Sequence, residues 1–257
     1  MKNVLEWLEA TVEKYPDKPA FSDTESSITF RQVYDIARNT GAYLIEQLGV
    51  DRTPVAVFAG RKMVTPAYFL GVVYAGRPYA PIDASLPDKR IEKILENLCP
   101  RAIVADRESL EHVESIVDEL AKAEGFDRPQ IFVAEDISRF EQVACADSNC
   151  KISESAGDAV TDSENDTDGC VVAGCAGKKD DSSLEKLATV RRQMSMTDPL
   201  YIIYTSGSTG NPKGVMTSHL SLMTYINAYC DVMHIECDDV LGNQSPLDYI
   251  AAIRDIY

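Results

Sequence analysis

The chain has 257 residues, enough for one large domain or two small ones, and 45% of them are hydrophobic, as in ordinary globular proteins. The 41 acidic residues outnumber the 25 basic ones, and the formal net charge of −16 argues against nucleic acid as a partner, because nucleic-acid phosphates bind basic faces. The same charge repels a nucleotide at long range, so any nucleotide site must supply positive charge locally. The absence of a long apolar run predicts no membrane span, and a start unlike a signal peptide indicates a cytoplasmic location.

Helix and strand patterns alternate along the first 136 residues. Apolar residues recur at helical spacing in several segments, and short apolar runs between them predict strands. The predicted helices are residues 3–15, 33–48, 63–75, a helix opened by Pro87, and 108–124. The predicted strands are 54–58, 79–82, 101–105 and 130–134. This alternation predicts an α/β fold with a mainly parallel sheet and helices on both of its faces.

Residues 137–196 interrupt this pattern. Between 145 and 183 the chain has nine acidic residues, three basic ones and almost no aromatic ones. Such a composition cannot bury enough apolar surface to offset the entropy lost on ordering, so we expect an acidic, disordered insert between residues 1–136 and 197–257. Four cysteines in it, Cys145, Cys150, Cys170 and Cys175, could bind zinc, but the usual Cys-x2-Cys pairs are absent. We therefore favour free thiols and assign no metal site.

The ten residues from Thr205 to Gly214 are the most distinctive segment of the chain. They follow residues 199–204, an apolar run that predicts a buried strand. Glycines let several backbone N–H groups turn toward one point, and this arrangement, with hydroxyls and an ammonium, suits a polyphosphate. The lysine follows Gly210 by three positions and precedes another glycine, which is not the spacing of a Walker A loop. The candidate binding residues are Thr205, Ser206, Gly207, Ser208, Thr209, Gly210, Lys213 and Gly214.

After this loop, Ser218 could cap a helix. Apolar and aromatic residues follow at helical spacing, and we expect them to belong to the core rather than to contact a ligand. They are Leu222, Tyr225, Ile226, Tyr229 and Met233.

The string from Tyr204 to Val215 closely resembles the phosphate-binding motif of the adenylate-forming superfamily. This superfamily includes acyl-CoA synthetases, luciferases, the adenylation domains of nonribosomal peptide synthetases and D-alanine–carrier-protein ligases. Other segments resemble further motifs of the superfamily in the expected order, and they are residues 27–34, 71–83, 214–219 and 242–257. The resemblance is closest to stand-alone amino-acid-activating members, and it implies part of their large N-terminal domain.

The resemblance implies an ATP-dependent ligase that activates a small carboxylic or amino acid as an acyl adenylate. The full-length enzyme would then load the acyl group onto the phosphopantetheine thiol of a carrier protein or onto CoA. By the same resemblance, the loop would hold the β- and γ-phosphates, Lys213 and Thr209 would be catalytic, and a hydroxyl would help to hold Mg²⁺. The later motifs of the family do not occur in the sequence, so we expect a truncated N-terminal portion that is weak or inactive alone. A non-catalytic nucleotide-binding or regulatory fragment is the alternative.

Three residues are candidates for substrate contacts. His219 could line the acyl pocket, or it could be a helix-start histidine bonded to backbone. When the end of residues 242–257 is aligned with the corresponding motif of the superfamily, Ile250 takes the position of an aspartate. In relatives that activate α-amino acids, that aspartate pairs with the substrate ammonium. Asp248 lies two positions earlier, and on an extended backbone it would face the same side. Either Asp248 takes the place of that aspartate, or the substrate has no α-ammonium.

Overall fold

A computed structural model describes residues 2–58, 60–138, 181–206 and 211–257. Its helices agree with the predicted helical segments to within a few residues, and the difference is largest at α5, which ends four residues before the predicted end at 124. The helices are α1 (Leu5–Lys14), α2 (Phe30–Leu48), α3 (Thr65–Tyr74), α4 (Asp88–Leu98), α5 (Leu110–Leu120), α6 (Ala134–Ser138), α7 (Asp181–Gln193), α8 (His219–Met233) and α9 (Ile250–Ile256). α6, α7 and α9 were not predicted.

The strands form a six-stranded sheet and a separate two-stranded one. They are β1 (Pro19–Ser22), β2 (Ser27–Thr29), β3 (Val55–Phe58), β4 (Tyr79–Pro81), β5 (Ala102–Ala105), β6 (Gln130–Val133), β7 (Pro199–Ser206) and β8 (Pro212–Ser218). The large sheet has the order β6-β5-β3-β4-β7-β8. Its first five strands are parallel, and β8 pairs antiparallel with β7. The mainly parallel sheet is therefore confirmed.

Helices cover both faces of the sheet. Along β3, Val55 and Val57 pack into one apolar cluster with residues of α1, α2, α3, α7 and α8. Ala56 and Phe58 pack into a second cluster with residues of α4 and α5. Successive side chains of a strand point to opposite faces, so these two clusters lie on the two sides of the sheet.

Helices α2 and α3 pack closely through glycines. A Cβ added at Gly71 would lie 2.4 Å from Thr40 Cβ, and one added at Gly41 would lie 2.6 Å from Tyr74 Cβ. α2 is also anchored at its start, where Thr29 and Gln32 bond reciprocally as a capping box. These contacts fix the helical layer against which the central strands pack.

Helices lie inside both ends of the segment expected to be an insert, residues 137–196. α6 extends to residue 138, and α7 lies within the second half of the expected insert. Leu187, Val190 and Met194 of this segment recur at helical spacing and so lie on one face. All three are buried in the core. The four cysteines and the expected disorder between 139 and 180 lie outside the described residues.

α8 begins as predicted, since the Ser218 side chain accepts a hydrogen bond from the Ser221 N–H at 3.2 Å. The prediction that its aromatic face is core was wrong in part. Leu222 and Ile226 are buried, but Tyr225 is 47% and Met233 56% exposed. Only one narrow stripe of α8 packs against the sheet. Within the described ranges, no helix has the length and apolar character needed to cross a membrane.

Candidate functional site

The glycine-rich segment lies at the turn between β7 and β8, at the carboxyl end of β7. The structure describes both flanks of this turn, which confirms the predicted strand before it and adds a strand after it. Thr205 pairs with Lys213 across the ladder, and Ser206 pairs with Pro212. The remaining candidate binding residues, Gly207, Ser208, Thr209 and Gly210, lie outside the described residues.

Strand alternation divides the flanking residues between two faces of the hairpin. Residues directly opposite each other in an antiparallel pair share a face. Thr205 and Lys213 therefore lie on one face, and Tyr204 and Gly214 lie on the other. Both Thr205 and Lys213 are exposed, so a hydroxyl and an ammonium are available together beside the turn.

Gly214 has a steric reason to be glycine. A Cβ at this position would lie 2.9 Å from Ile202 Cγ2 and 3.1 Å from Tyr204 Cζ. The missing side chain leaves room for the Tyr204 ring, which lies over the backbone of β8. The packing of the hairpin therefore favours glycine at this position, independently of any contact with a ligand.

Helix α4 contacts both flanks of the turn. The Tyr204 hydroxyl donates to Asn97 Oδ1 at 2.9 Å, and Lys93 Nζ donates to Asn211 Oδ1 at 3.2 Å. Burial raises the pKa of Tyr204 to about 12, so its hydroxyl keeps its proton and can donate. Sequence reasoning missed these contacts, because helical spacing identifies the buried stripe of α4 but not the partner of its polar stripe.

A cavity of about 610 Å³ opens at the carboxyl ends of β3, β4 and β5. β4 and β5 lie on opposite sides of β3. Ligands of open parallel sheets bind at such a reversal of strand order. The charged lining residues include Arg61, Lys62, Asp83, Asp106 and Asp248.

Asp106 is the most strongly held of these groups. Its buried carboxylate accepts hydrogen bonds from Lys62 Nζ at 2.8 Å, Gly60 N at 3.0 Å and both the N–H and the hydroxyl of Ser109. Burial opposes ionisation, but Lys62 and the other donors outweigh it and lower the pKa of Asp106 to about 2. The site therefore has a fixed anion at the end of β5. Sequence reasoning missed it, although a polar residue directly after a predicted strand was a usable signal.

Asp248 and Ile250 are placed differently from the expectation based on an extended backbone. Tyr249 N donates to Pro246 O at 3.0 Å, which makes a turn, and Ile250 starts α9. Ile250 is 49% exposed, whereas Asp248 is half-buried and lines the 610 Å³ cavity. Burial and the nearby Asp83 raise the pKa of Asp248. The two residues therefore do not face the same side, and Asp248 is the one that reaches the cavity.

His219 is fully buried at the start of α8 and does not line the 610 Å³ cavity. Its Nδ1 accepts a hydrogen bond from Val4 N at 3.4 Å. Among the described residues its Nε2 has no partner. Burial lowers its pKa to about 4. The structure thus differs from the acyl-pocket interpretation and agrees with a helix-start histidine bonded to backbone.

In the part of the chain that the structure describes, no group of three or more His, Cys, Asp or Glu side chains is arranged to hold a metal ion. A cation at this site would therefore need ligands from a bound substrate, from water or from residues outside the described ranges.

The sequence matches a family model described as "AMP-binding enzyme" over residues 8–257. A D-alanine--D-alanyl carrier protein ligase of Listeria welshimeri is 26% identical over 256 residues, which cover 99% of this chain and 40% of that protein. The corresponding ligase of Bacillus licheniformis is 27% identical over 251 residues, covering 96% and 39%. The chain thus spans about 40% of the length of these curated relatives.

Solved structures resemble the fold over the whole chain. The inhibitor-bound N-terminal domain of FACL13 from Mycobacterium tuberculosis has a TM-score of 0.66 at 19% identity, covering 100% of this chain and 54% of that one. VinN in complex with L-aspartate has a TM-score of 0.68 at 14% identity, covering 100% and 55%. At these identities the likeness concerns the fold alone, and it confirms the predicted α/β class.

Proposed function

Because the chain belongs to the AMP-binding enzyme family, we propose that it provides the N-terminal part of an ATP-dependent ligase that activates a carboxylate as an acyl or aminoacyl adenylate. The observation that carries this proposal is the family match over residues 8–257 together with the glycine-rich turn at the carboxyl end of β7. The curated relatives support the same reaction class, since both are named as ligases.

The first step joins a substrate carboxylate oxygen to the α-phosphorus of ATP and releases pyrophosphate. Negative charge grows on the leaving pyrophosphate, so catalysis depends on donors aimed at its oxygens. Lys213 supplies a cation and Thr205 a hydroxyl on one face of the hairpin, and the backbone of Gly207–Gly210 supplies N–H groups. Mg²⁺ accompanies ATP, and a hydroxyl such as that of Thr209 helps to hold it.

The substrate is a small amino acid in this proposal. The relatives are named for D-alanine, and Asp248 lies half-buried in the 610 Å³ cavity. A carboxylate whose pKa is raised by burial and a neighbouring carboxylate gains from a bound ammonium, which neutralises it. This reasoning favours Asp248 over Ile250 as the group that takes the place of the ammonium-pairing aspartate.

In the second step a thiolate attacks the acyl carbon and AMP leaves. By analogy with relatives named as carrier protein ligases, the thiol belongs to the phosphopantetheine of a carrier protein, with CoA as the other acceptor. A carrier-protein acceptor would connect the enzyme to cytoplasmic pathways of the nonribosomal type.

Nucleotide binding tests the proposal directly. Calorimetric titration of the 257-residue chain with Mg-ATP should give saturable binding. Lys213→Ala should weaken it about tenfold, because one charge-assisted contact to phosphate is lost. Lys122→Ala, on the exposed turn after α5, is the matched control and should leave affinity unchanged. Lack of Mg-ATP binding by the wild-type chain would contradict the proposal.

Substrate choice is tested by pyrophosphate exchange in a chain extended with the remaining domains of a relative. D-Alanine and L-alanine should support exchange better than propionate, which lacks an ammonium. Asp248→Asn should remove most of this preference, whereas Ile250→Ala should keep it. Equal rates of exchange with alanine and propionate would show that Asp248 does not recognise the substrate ammonium.

A further inference from the structure

We propose that Arg61 is a positioning residue that holds Asp248 in the 610 Å³ cavity, and this inference rests on the proposed function. Arg61 lies between β3 and α3, and Asp248 lies in the segment between α8 and α9. Arg61 Nη2 donates to Asn243 O at 3.0 Å, and its Nη1 donates to Gln244 O at 3.1 Å. One side chain thus joins two parts of the chain that both line the cavity.

The segment between α8 and α9 depends on such contacts from outside. In residues 234–249, all of which the structure describes, there is no helix, no strand and no buried residue. Val240 is 95% exposed and Leu241 45% exposed, just before the two carbonyl groups that Arg61 binds. A stretch of chain with so little buried apolar surface opens easily, so its polar bonds to the rest of the fold decide how firmly it is held.

Arg61 itself is fixed from both sides. Gly60 N and Lys62 Nζ donate to Asp106 Oδ2 at 3.0 Å and 2.8 Å, at the end of β5. The hydroxyl of Thr65, at the start of α3, donates to Gly60 O at 2.7 Å. The neighbours of Arg61 are therefore tied to the sheet and to a buried helix. This also gives the fixed anion at the end of β5 a role, because it anchors the turn that presents Arg61.

The contact is transmitted to Asp248 over a short stretch of backbone. Tyr249 N donates to Pro246 O at 3.0 Å, so Asp248 lies within a turn. That turn begins two residues after Gln244, whose carbonyl oxygen Arg61 binds. Holding this carbonyl therefore limits how far the turn and its carboxylate can move.

The position of Asp248 needs this support because it is unfavourable for a carboxylate. Burial and the nearby Asp83 raise the pKa of Asp248, which means that they disfavour its charged form. If the segment were released, the carboxylate would move toward water. The affinity for an ammonium substrate would then fall by the fraction of molecules in which Asp248 is in place. Arg61 therefore acts on substrate affinity more than on the chemical step.

Hydrogen exchange of the 257-residue chain, measured by NMR, tests the structural part. In Arg61→Ala the Tyr249 N–H should exchange about tenfold faster, because its turn is no longer held. The Ile235 N–H, which bonds to Cys230 O at the other end of the segment, should exchange as in wild type. Arg128→Ala, which removes an exposed arginine before β6, should change neither rate. Unchanged exchange at Tyr249 in Arg61→Ala would refute the inference, whatever the function.

Pyrophosphate exchange in the chain extended with the remaining domains of a relative tests the functional part. Arg61→Ala should raise the KM for alanine about tenfold and the KM for propionate less than about threefold. Arg61→Lys keeps the charge but loses the planar fork that binds two carbonyl groups, so its KM for alanine should lie between those of Arg61→Ala and wild type. Arg128→Ala is again the control, and thermal unfolding of each variant verifies folding.

A double variant separates positioning from direct contact with the substrate. If Arg61 acts through Asp248, adding Arg61→Ala to Asp248→Asn should raise the KM for alanine by less than about twofold more. Losses that multiply in the double variant would mean that Arg61 acts independently of Asp248, and they would overturn the inference.

Two further outcomes separate this inference from the proposed function. If Arg61→Ala keeps the wild-type preference for alanine over propionate, or if wild type has no such preference, the inference is wrong and adenylation of a carboxylate still stands. If the extended wild-type chain supports no pyrophosphate exchange with any carboxylate, the proposed function fails, and the inference fails with it.

Discussion

The centre and the edge of the large sheet differ in how completely they are covered. Every residue of β3 and of β5 is buried, whereas most of β8 is exposed, including Val215 at 51% and Met216 at 60%. Helices lie over both faces of the centre. The glycine-rich segment precedes this edge strand, which carries Lys213.

The polar groups of the two regions differ accordingly. At the centre, the buried carboxylate of Asp106 accepts hydrogen bonds from four donors. At the edge, Thr205 and Lys213 remain exposed and can exchange water for a ligand. Binding residues commonly lie on loops that a rigid scaffold positions. If the two regions differ in this way, substitutions in them should differ in their effects.

The largest effect is expected at Arg77, whose side chain is fully buried just before β4. It pairs with Asp51 and donates to Gly49 O at 3.1 Å. Arg77→Ala removes the buried guanidinium and leaves Gly49 O without this donor, and it should lower the free energy of unfolding by about 3–5 kcal/mol. Urea denaturation followed by circular dichroism measures the change.

Arg101 provides the control, because it pairs with the same Asp51 at 3.0 Å but has a half-exposed side chain. Arg101→Ala should cost less than about 1 kcal/mol, since exposed ion pairs contribute little. Equal losses in the two variants would mean that burial does not decide the contribution of these pairs.

The next effect is a pH dependence at His219, which joins the hairpin region to the start of α1. Burial lowers its pKa from 6.5 to about 4 in the folded chain. Asp198 opposes this shift, and Arg191 adds to it. Because the unfolded chain binds this proton more tightly, stability should fall as pH decreases from about 6.5 to about 4 and then level off. The full loss is about 3 kcal/mol.

His219→Gln does not titrate in this range, so its unfolding free energy should depend less steeply on pH than that of wild type. Urea denaturation at several pH values gives the free energy of unfolding of both proteins. The contributions of carboxylates that both proteins share cancel in the difference between the two free energies. Parallel pH profiles would indicate that the pKa of His219 is the same in the folded and the unfolded chain.

Sequence reasoning predicted the covered region well, because burial imposes a period on the sequence. Ile91, Ile94, Leu95 and Leu98 predicted one face of α4, and all four are buried. The spacing of Leu187, Val190 and Met194 carried the same signal for α7, but the acidic composition around it led to the prediction of disorder.

The candidate site was harder to predict, because its contacts join residues far apart in sequence. The turn that contains Asp248 and the start of α9 at Ile250 have no periodic pattern, and the sequence argument assumed one extended backbone through both residues. The Lys93–Asn211 contact spans 118 residues and leaves no local signal. The candidate phosphate-loop residues were proposed from composition and spacing, whereas the contacts of α4 with the hairpin could be seen only in the fold.

A smaller loss is expected at Gly71, where α2 and α3 cross. In an exposed helix, replacing glycine by alanine stabilises by about 1 kcal/mol. Here the new Cβ would lie 2.4 Å from Thr40 Cβ, so Gly71→Ala should instead destabilise by about 1–3 kcal/mol. Gly242→Ala, with no atom within 4 Å of its Cβ, is the control and should be nearly neutral. Unfolding free energies from urea denaturation decide the sign, and a stabilised Gly71→Ala would refute the close helix contact.

The smallest change in stability is expected at Gly214, at the exposed edge. Its Cβ would also be too close to a neighbour, 2.9 Å from Ile202 Cγ2, but the Tyr204 ring beside it can move toward solvent. We expect Gly214→Ala to cost less than about 1 kcal/mol, because the lost packing is partly offset by the strand preference of alanine over glycine. Movement of Tyr204 breaks its bond to Asn97, so pyrophosphate affinity should fall severalfold even though the fold is kept. A loss of stability as large as that of Gly71→Ala, with pyrophosphate affinity unchanged, would mean that the edge is as rigid as the centre and that α4 does not position the turn.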